Sequence, residues 1–209
     1  MNPTTKKIIA ISISCVVIWM AYYGSYLPFQ KSRNFIETMR NLGGSSSLSD
    51  FKSRISGVLD RPSPIGQEEL VRQTANLIAG FFNQPSATPD VIADLMGYLE
   101  SYYKPMIDQG SGMSFGQDLY LLGSLNELAF VKTNQKAYFD KAKSYYSLAL
   151  VDGPKRPQAL YGMFDIYRLE KNVAEVKTVS DQILSQWPND SKVKNALADF
   201  LKQITLKKK

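Results

Sequence analysis

The sequence predicts an all-α protein: one membrane-crossing helix, then antiparallel helix hairpins stacked as an array. Three observations predict it. Residues 8–30 carry no charge at all. Beyond them, apolar residues recur at three- and four-residue spacing almost without interruption. Pro154 and Pro188 then stand 34 residues apart, closing two similar segments. Strand-like alternation bounded by turn signals is missing.

The first element is the uncharged run. It has about the length a helix needs to cross a bilayer, and Ile8 to Tyr23 is almost wholly apolar. Lys6 and Lys7 precede it, and Lys31 and Arg33 follow it. Trp19, Tyr22, Tyr23 and Tyr26 gather towards its far end, as an aromatic belt does at an interface. A cleavable signal peptide would need small residues at an A-x-A-like site, and the run ends in Trp19-Met20-Ala21 or Tyr23-Gly24-Ser25 instead. Lipidation at Cys15 fits poorly, because Ser12-Ile13-Ser14 is a weak lipobox and the apolar run continues past the cysteine. Residues 1–30 are therefore read as an uncleaved anchor that meets the lipid bilayer through residues 8–30. Lys6 and Lys7 sit close to the membrane, whereas Lys31, Arg33 and Arg40 are spread along the other flank. The positive-inside rule then leans towards a cytoplasmic N-terminus and an extracytoplasmic helical domain.

Residues 31–108 read as helical hairpins. Phe35, Ile36, Met39 and Leu42 make one stripe. Leu48, Phe51, Ile55 and Val58 make the next, opened by Ser47 with Asp50 three residues on, a variant of the capping box. Val71, Ala75, Ile78 and Phe82 form a third. Thr88-Pro89-Asp90 supplies an N-cap, a proline in the first turn and an acid for the helix dipole. It starts a helix carrying Ile92, Leu95, Leu99, Tyr102 and Met106. "QGSGMSFG", residues 109–116, reads as a linker.

From 117 to 206 the helices become regular, and 207–209 is a lysine tail. Leu119, Leu122, Leu125 and Ala129 share one face, then Phe139, Ala142, Tyr146 and Ala149 the next. The 34-residue spacing is the period of a tetratricopeptide repeat. With Pro154 closing the first unit, Ala142, Tyr146 and Ala149 take the small, large and small positions of its second helix. Small residues let the helices approach, and the large one fills the groove between hairpins. The second unit is looser: Phe164 stands where a small residue is usual, and Val176, Ser180 and Ile183 replace the second-helix set. The link through "VKTNQKAY" looks several residues too long. Val193, Leu197, Phe200, Leu201 and Ile204 belong to a closing helix. The expected architecture is a degenerate tetratricopeptide-like solenoid with a capping helix.

Composition narrows the chemistry. Histidine is absent, which removes His-based acid–base catalysis, Ser/His and Cys/His nucleophiles and the commonest zinc ligand. Cys15 is the single cysteine, so no intrachain disulfide or thiolate cluster can form. A net charge of +6, three of whose positives are Lys207, Lys208 and Lys209, is too modest to imply nucleic acid as a partner. "NLGGSSSL" lacks the lysine of a phosphate loop and reads as an interhelix turn. Glu68-Glu69 are adjacent on a helix and point apart, so they make no catalytic dyad. Tyr102-Tyr103 and Tyr145-Tyr146 read as half-buried packing rather than as platforms for carbohydrate. No catalytic residue, cofactor or metal site is expected, and the chain is not read as an enzyme.

The most patterned stretch is "GPKRPQALYGMFDIYRLEKN", residues 153–172. Leu160, Met163, Phe164 and Tyr167 form its stacking stripe, and its other face is Gln158, Tyr161, Asp165 and Arg168. One period on, these become Lys192, Asn195, Asp199 and Lys202, with acid and base at matching positions. The eight residues are the expected partner-binding groove. The plainer reading is a set of exposed ion pairs contributing a few tenths of a kcal/mol each.

The stretches "LPFQKSRNFIETM", "FKSRISGVLDRPSPIGQEELVRQTANL", "YFDKAKSYYSLALVDGPKRPQALYGMFDIYRLEKN" and "WPND" follow directly on a membrane helix. Together they resemble the C-terminal region of bacterial O-antigen ligase/polymerase-like membrane proteins, where the last membrane helix runs into tetratricopeptide-type repeats. Those proteins are polytopic, and nothing in this chain matches their catalytic region. The resemblance therefore implies a role in envelope polysaccharide assembly without any catalytic residue. The expectation is a membrane-anchored module that binds a protein partner in or near the membrane. The alternative is an accessory domain of a glycan ligase or polymerase.

Overall fold

A computed structural model of the chain describes residues 2–44 and 47–206. The Lys207–Lys209 tail and part of the "NLGGSSSL" turn, Ser45 and Ser46, lie outside the described residues. Among the described residues every element is helical and no strand occurs. The chain divides into two compact units, Met1–Asn76 and Leu77–Lys209, with the division inside one helix.

The first unit opens with α1 (Pro3–Ala21), capped by the Asn2 side chain, which accepts from the Thr4 amide. None of its residues is buried. A π-helical turn, Tyr22–Tyr26, leads into α2 (Leu27–Asn41). Together with a closing 3-10 turn they make one helix of 42 residues, long and apolar enough to cross a membrane. The anchor was expected over residues 1–30, and the helix runs on past residue 30 and through Pro28 without a break. Proline lacks the N–H for an i→i−4 bond, and its ring crowds the carbonyl four residues back. The widened turn around Gly24 absorbs both problems, with the Leu27 amide bonding back to the Tyr22 carbonyl.

On α2, Phe35 is buried as expected, but Ile36 from the same stripe is half-exposed. The residue that fixes α2 is Lys31, which is only 4% exposed. Its ammonium donates to the Leu59 carbonyl at 2.8 Å, to the Arg61 carbonyl at 2.6 Å and to the Gln67 side chain. The last carbonyls of α3 (Leu48–Leu59) lack helical partners, so a lysine from another helix satisfies them. At its other end α3 is capped by Ser47, whose hydroxyl accepts from the Asp50 amide at 3.1 Å. Then α4 (Gln67–Phe82) buries Val71, Ala75, Ile78 and Phe82, the four residues of its expected stripe.

The second unit contains α5 (Pro89–Gln109), α6 (Phe115–Thr133), α7 (Lys136–Asp152), α8 (Pro157–Leu169), α9 (Val173–Gln186) and α10 (Ser191–Leu206). From α5 onwards each helix packs on the next, and α6 also meets α8. Thr88 caps α5 through the Val91 amide, and Gly110 ends it in the left-handed conformation with φ 66°. Tyr103, not Tyr102, is the aromatic that α5 buries. Phe115 and Gly116, expected in the linker, form the first turn of α6. The link from α6 to α7 is also shorter than "VKTNQKAY" suggested. Val131 to Thr133 continue the helix, and Asn134, left-handed at φ 55°, turns the chain straight into α7.

Two packed layers follow from these pairings. Ala142, Tyr146, Met163 and Ile166 join α7 to α8. Leu160, Phe164, Val176, Val179, Ile183, Val193 and Phe200 join α8, α9 and α10. Phe164, which stands where a small residue was expected, packs in this second layer with Val176, Val179 and Ile183 of α9.

Candidate functional site

Tyr146 organises the surface between α6 and α8. It is 2% exposed, and its ring lies against backbone on both sides. A Cβ placed on Gly123 of α6 would come 2.6 Å from that ring, and one on Gly162 of α8 closer still. Only glycine lets two helices close on one aromatic at these positions. The phenol passes between them, and its hydroxyl donates to Glu127 Oε2 at 2.7 Å.

Beyond that hydroxyl lies a cavity of about 420 Å³. Tyr120, Ser124, Glu127, Leu128 and Val131 line it from α6, and Gln158, Tyr161, Gly162 and Asp165 from α8. Its volume falls within the usual range for ligand pockets, enough for a large side chain but not for a folded partner. The walls mix apolar and aromatic groups with two carboxylates.

The electrostatics are unequal. Glu127 is pushed up from its ordinary 4.5 to about 7, first by burial and then by the Asp165 carboxylate across the groove. The Tyr146 hydrogen bond works against this shift without cancelling it. Burial and the Glu127 carboxylate push the Tyr146 phenol up as well, so it remains a donor. Burial also raises Asp165, but Arg168 pairs with it at 2.8 Å and pulls the other way. The Arg168 guanidinium in turn sits 5.3 Å from the centre of the Phe164 ring.

The eight expected groove residues separate into two sets. Gln158, Tyr161 and Asp165 line the cavity, and Arg168 stands beside it as the partner of Asp165. Lys192, Asn195, Asp199 and Lys202 lie exposed on α10, away from the cavity lining. Tyr161 also has a structural task. Its hydroxyl donates to Asp190, the residue that caps α10 by accepting from the Val193 amide at 3.1 Å. Its ring stacks on Trp187 at 6.4 Å. That bond pushes the phenol up to about 12.

Sequence reasoning missed Glu127, Tyr120, Ser124, Leu128 and Val131, all on α6. A signal was present. Gly123 is followed four residues on by Glu127, and Gly162 three residues on by Asp165, so each helix places an acid one turn beyond its glycine. Among the described residues no three Asp, Glu or Cys side chains come together as a metal-binding group. In comparisons with known proteins, the chain matches no family model, no curated protein and no solved structure.

Proposed function

We propose that this chain is a membrane-anchored helical-repeat module that holds an extended segment of a protein partner between α6 and α8. The observation that carries the reading is the cavity itself. It is lined by aromatic and carboxylate groups, in a chain whose N-terminal helix is apolar and exposed throughout. The stacking of α6 on α8, with α7 between them in sequence, supports the tetratricopeptide-like assignment. A place in the bacterial envelope, and a link to surface polysaccharide assembly, rest on the resemblance in the sequence. The accessory role beside a glycan ligase or polymerase rests on it equally.

A photo-crosslinking residue at Val131, which is exposed at the cavity rim, tests this in native membranes. Adducts to a protein should form from Val131 and not from Lys177, exposed on α9. Equal labelling from both positions would sink the groove reading. An adduct with a polytopic glycosyltransferase would select the accessory role.

For the orientation we propose a cytoplasmic N-terminus, on the strength of Lys6 and Lys7 beside the apolar helix. Protease added to intact spheroplasts should then degrade residues 31–209. Protection until the cells are lysed would reverse the assignment.

A further inference from the structure

We propose that the cavity between α6 and α8 takes the cationic side chain of a lysine or arginine in an extended partner segment, with Glu127 as its counter-charge. This rests on the groove reading above and names what the groove selects. The two carboxylates of the cavity are not equivalent. Asp165 already has Arg168 at 2.8 Å. Among the described residues the groups that act on Glu127 are the Tyr146 hydroxyl of α7 and the Asp165 carboxylate of α8. A hydroxyl and a like charge are poor company for a half-buried carboxylate, and a cation is what that position lacks.

The walls fit the same ligand. Leu128 and Val131 offer apolar surface for the methylenes of a long basic side chain, and Tyr120 and Tyr161 bring aromatic rings to its charged head. A bare metal ion suits the site less well, because aliphatic and phenol groups outnumber the carboxylates. A neutral sugar would leave the repulsion between Glu127 and Asp165 as it is. The faces of Tyr146, moreover, are already taken by the backbones at Gly123 and Gly162.

The cation site has a pH signature that simple apolar docking lacks. With its carboxyl at about 7, Glu127 carries a proton in roughly half the molecules at neutrality. A bound ammonium or guanidinium favours the ionised form, so binding releases a proton and strengthens as pH rises.

The test is calorimetry on the full chain in nanodiscs of phosphatidylcholine, which adds no net lipid charge. Three probes are titrated: Ac-Ala-Ser-Lys-Ser-Ala-NH2, its arginine counterpart and its norleucine counterpart. The lysine and arginine peptides should bind at pH 8 and about tenfold more weakly at pH 6, the ratio of ionised Glu127 at those pH values. At pH 7, heats measured in phosphate and in Tris should report release of about half a proton per peptide. Glu127→Gln should weaken binding at least tenfold and abolish that release, with circular dichroism confirming an intact fold. If norleucine binds as well as lysine, and Glu127→Gln changes nothing, the cation site is overturned. The groove reading survives that result if Val131→Trp, which fills the rim, removes the binding. No heat from any peptide at millimolar concentration also overturns the cation site, and the groove reading then stands or falls on crosslinking at Val131.

Discussion

Tyr146→Ala should lower the stability of the chain by roughly 3–5 kcal/mol, the usual cost of deleting a buried aromatic side chain. The expectation lies at the upper end of that range for a local reason. A cavity is cheap when neighbouring side chains can relax into it, and costly when they cannot. Here the ring is flanked by Gly123 and Gly162, which have no side chains to move. Closing the void would require α6 and α8 to shift as bodies, against the Leu160–Phe164 layer that holds α8 to α9 and α10. Tyr146→Phe keeps the ring and removes only the donor to Glu127, so it should cost about 1 kcal/mol. Urea unfolding of both variants in detergent, followed by circular dichroism at 222 nm, measures the difference. If alanine costs no more than phenylalanine, Tyr146 is not the wedge between the helices.

That wedge was half legible in the sequence. The small–large–small pattern of Ala142, Tyr146 and Ala149 placed all three inside, and all three are buried. The helix starts at Ser47 and Thr88 were legible too, because capping is chemistry between residues two or three apart. What could not be read was where the tyrosine hydroxyl would go. Its partner Glu127 is 19 residues away, on a helix whose acid looks like any solvated one. Lys31 was hidden for the same reason: its carbonyl partners Leu59 and Arg61 lie 28 and 30 residues on, and it read only as a flanking charge of the anchor. Of the expected groove residues, those on α10 lie exposed and away from the cavity lining. Shifting the α8 face by 34 residues carries over a helix face, not the neighbouring helix that closes a cavity against it, as α6 does for α8. Tyr161 illustrates the mixture, since it lines the cavity yet also bonds to Asp190, so binding and packing share one side chain.

Glu127→Gln should make the protein more stable at pH 8 and change it little at pH 4. The sign follows from where the proton sits. In the folded chain the Glu127 carboxyl titrates at about 7, against an ordinary 4.5 once unfolded. Between those values the native state holds a proton that the unfolded chain has released. Stability therefore falls as pH rises through that window, and levels off above it. A shift of this size corresponds to about 3 kcal/mol lost between roughly pH 4 and pH 8. The amide of glutamine has nothing to ionise, and its carbonyl can still accept from the Tyr146 hydroxyl. The variant should therefore keep at pH 8 most of what the parent has lost. Other groups titrate in the same range, among them Asp165, which burial also raises. The difference between variant and parent cancels these, except for the part that Glu127 itself imposes on Asp165. Melting curves of the two proteins at half-unit intervals from pH 4 to pH 8.5 should converge at the acid end and separate towards the alkaline end. Parallel curves would mean that Glu127 titrates in the folded chain as it does unfolded, and the cavity would then carry its charge at every pH well above 4.5.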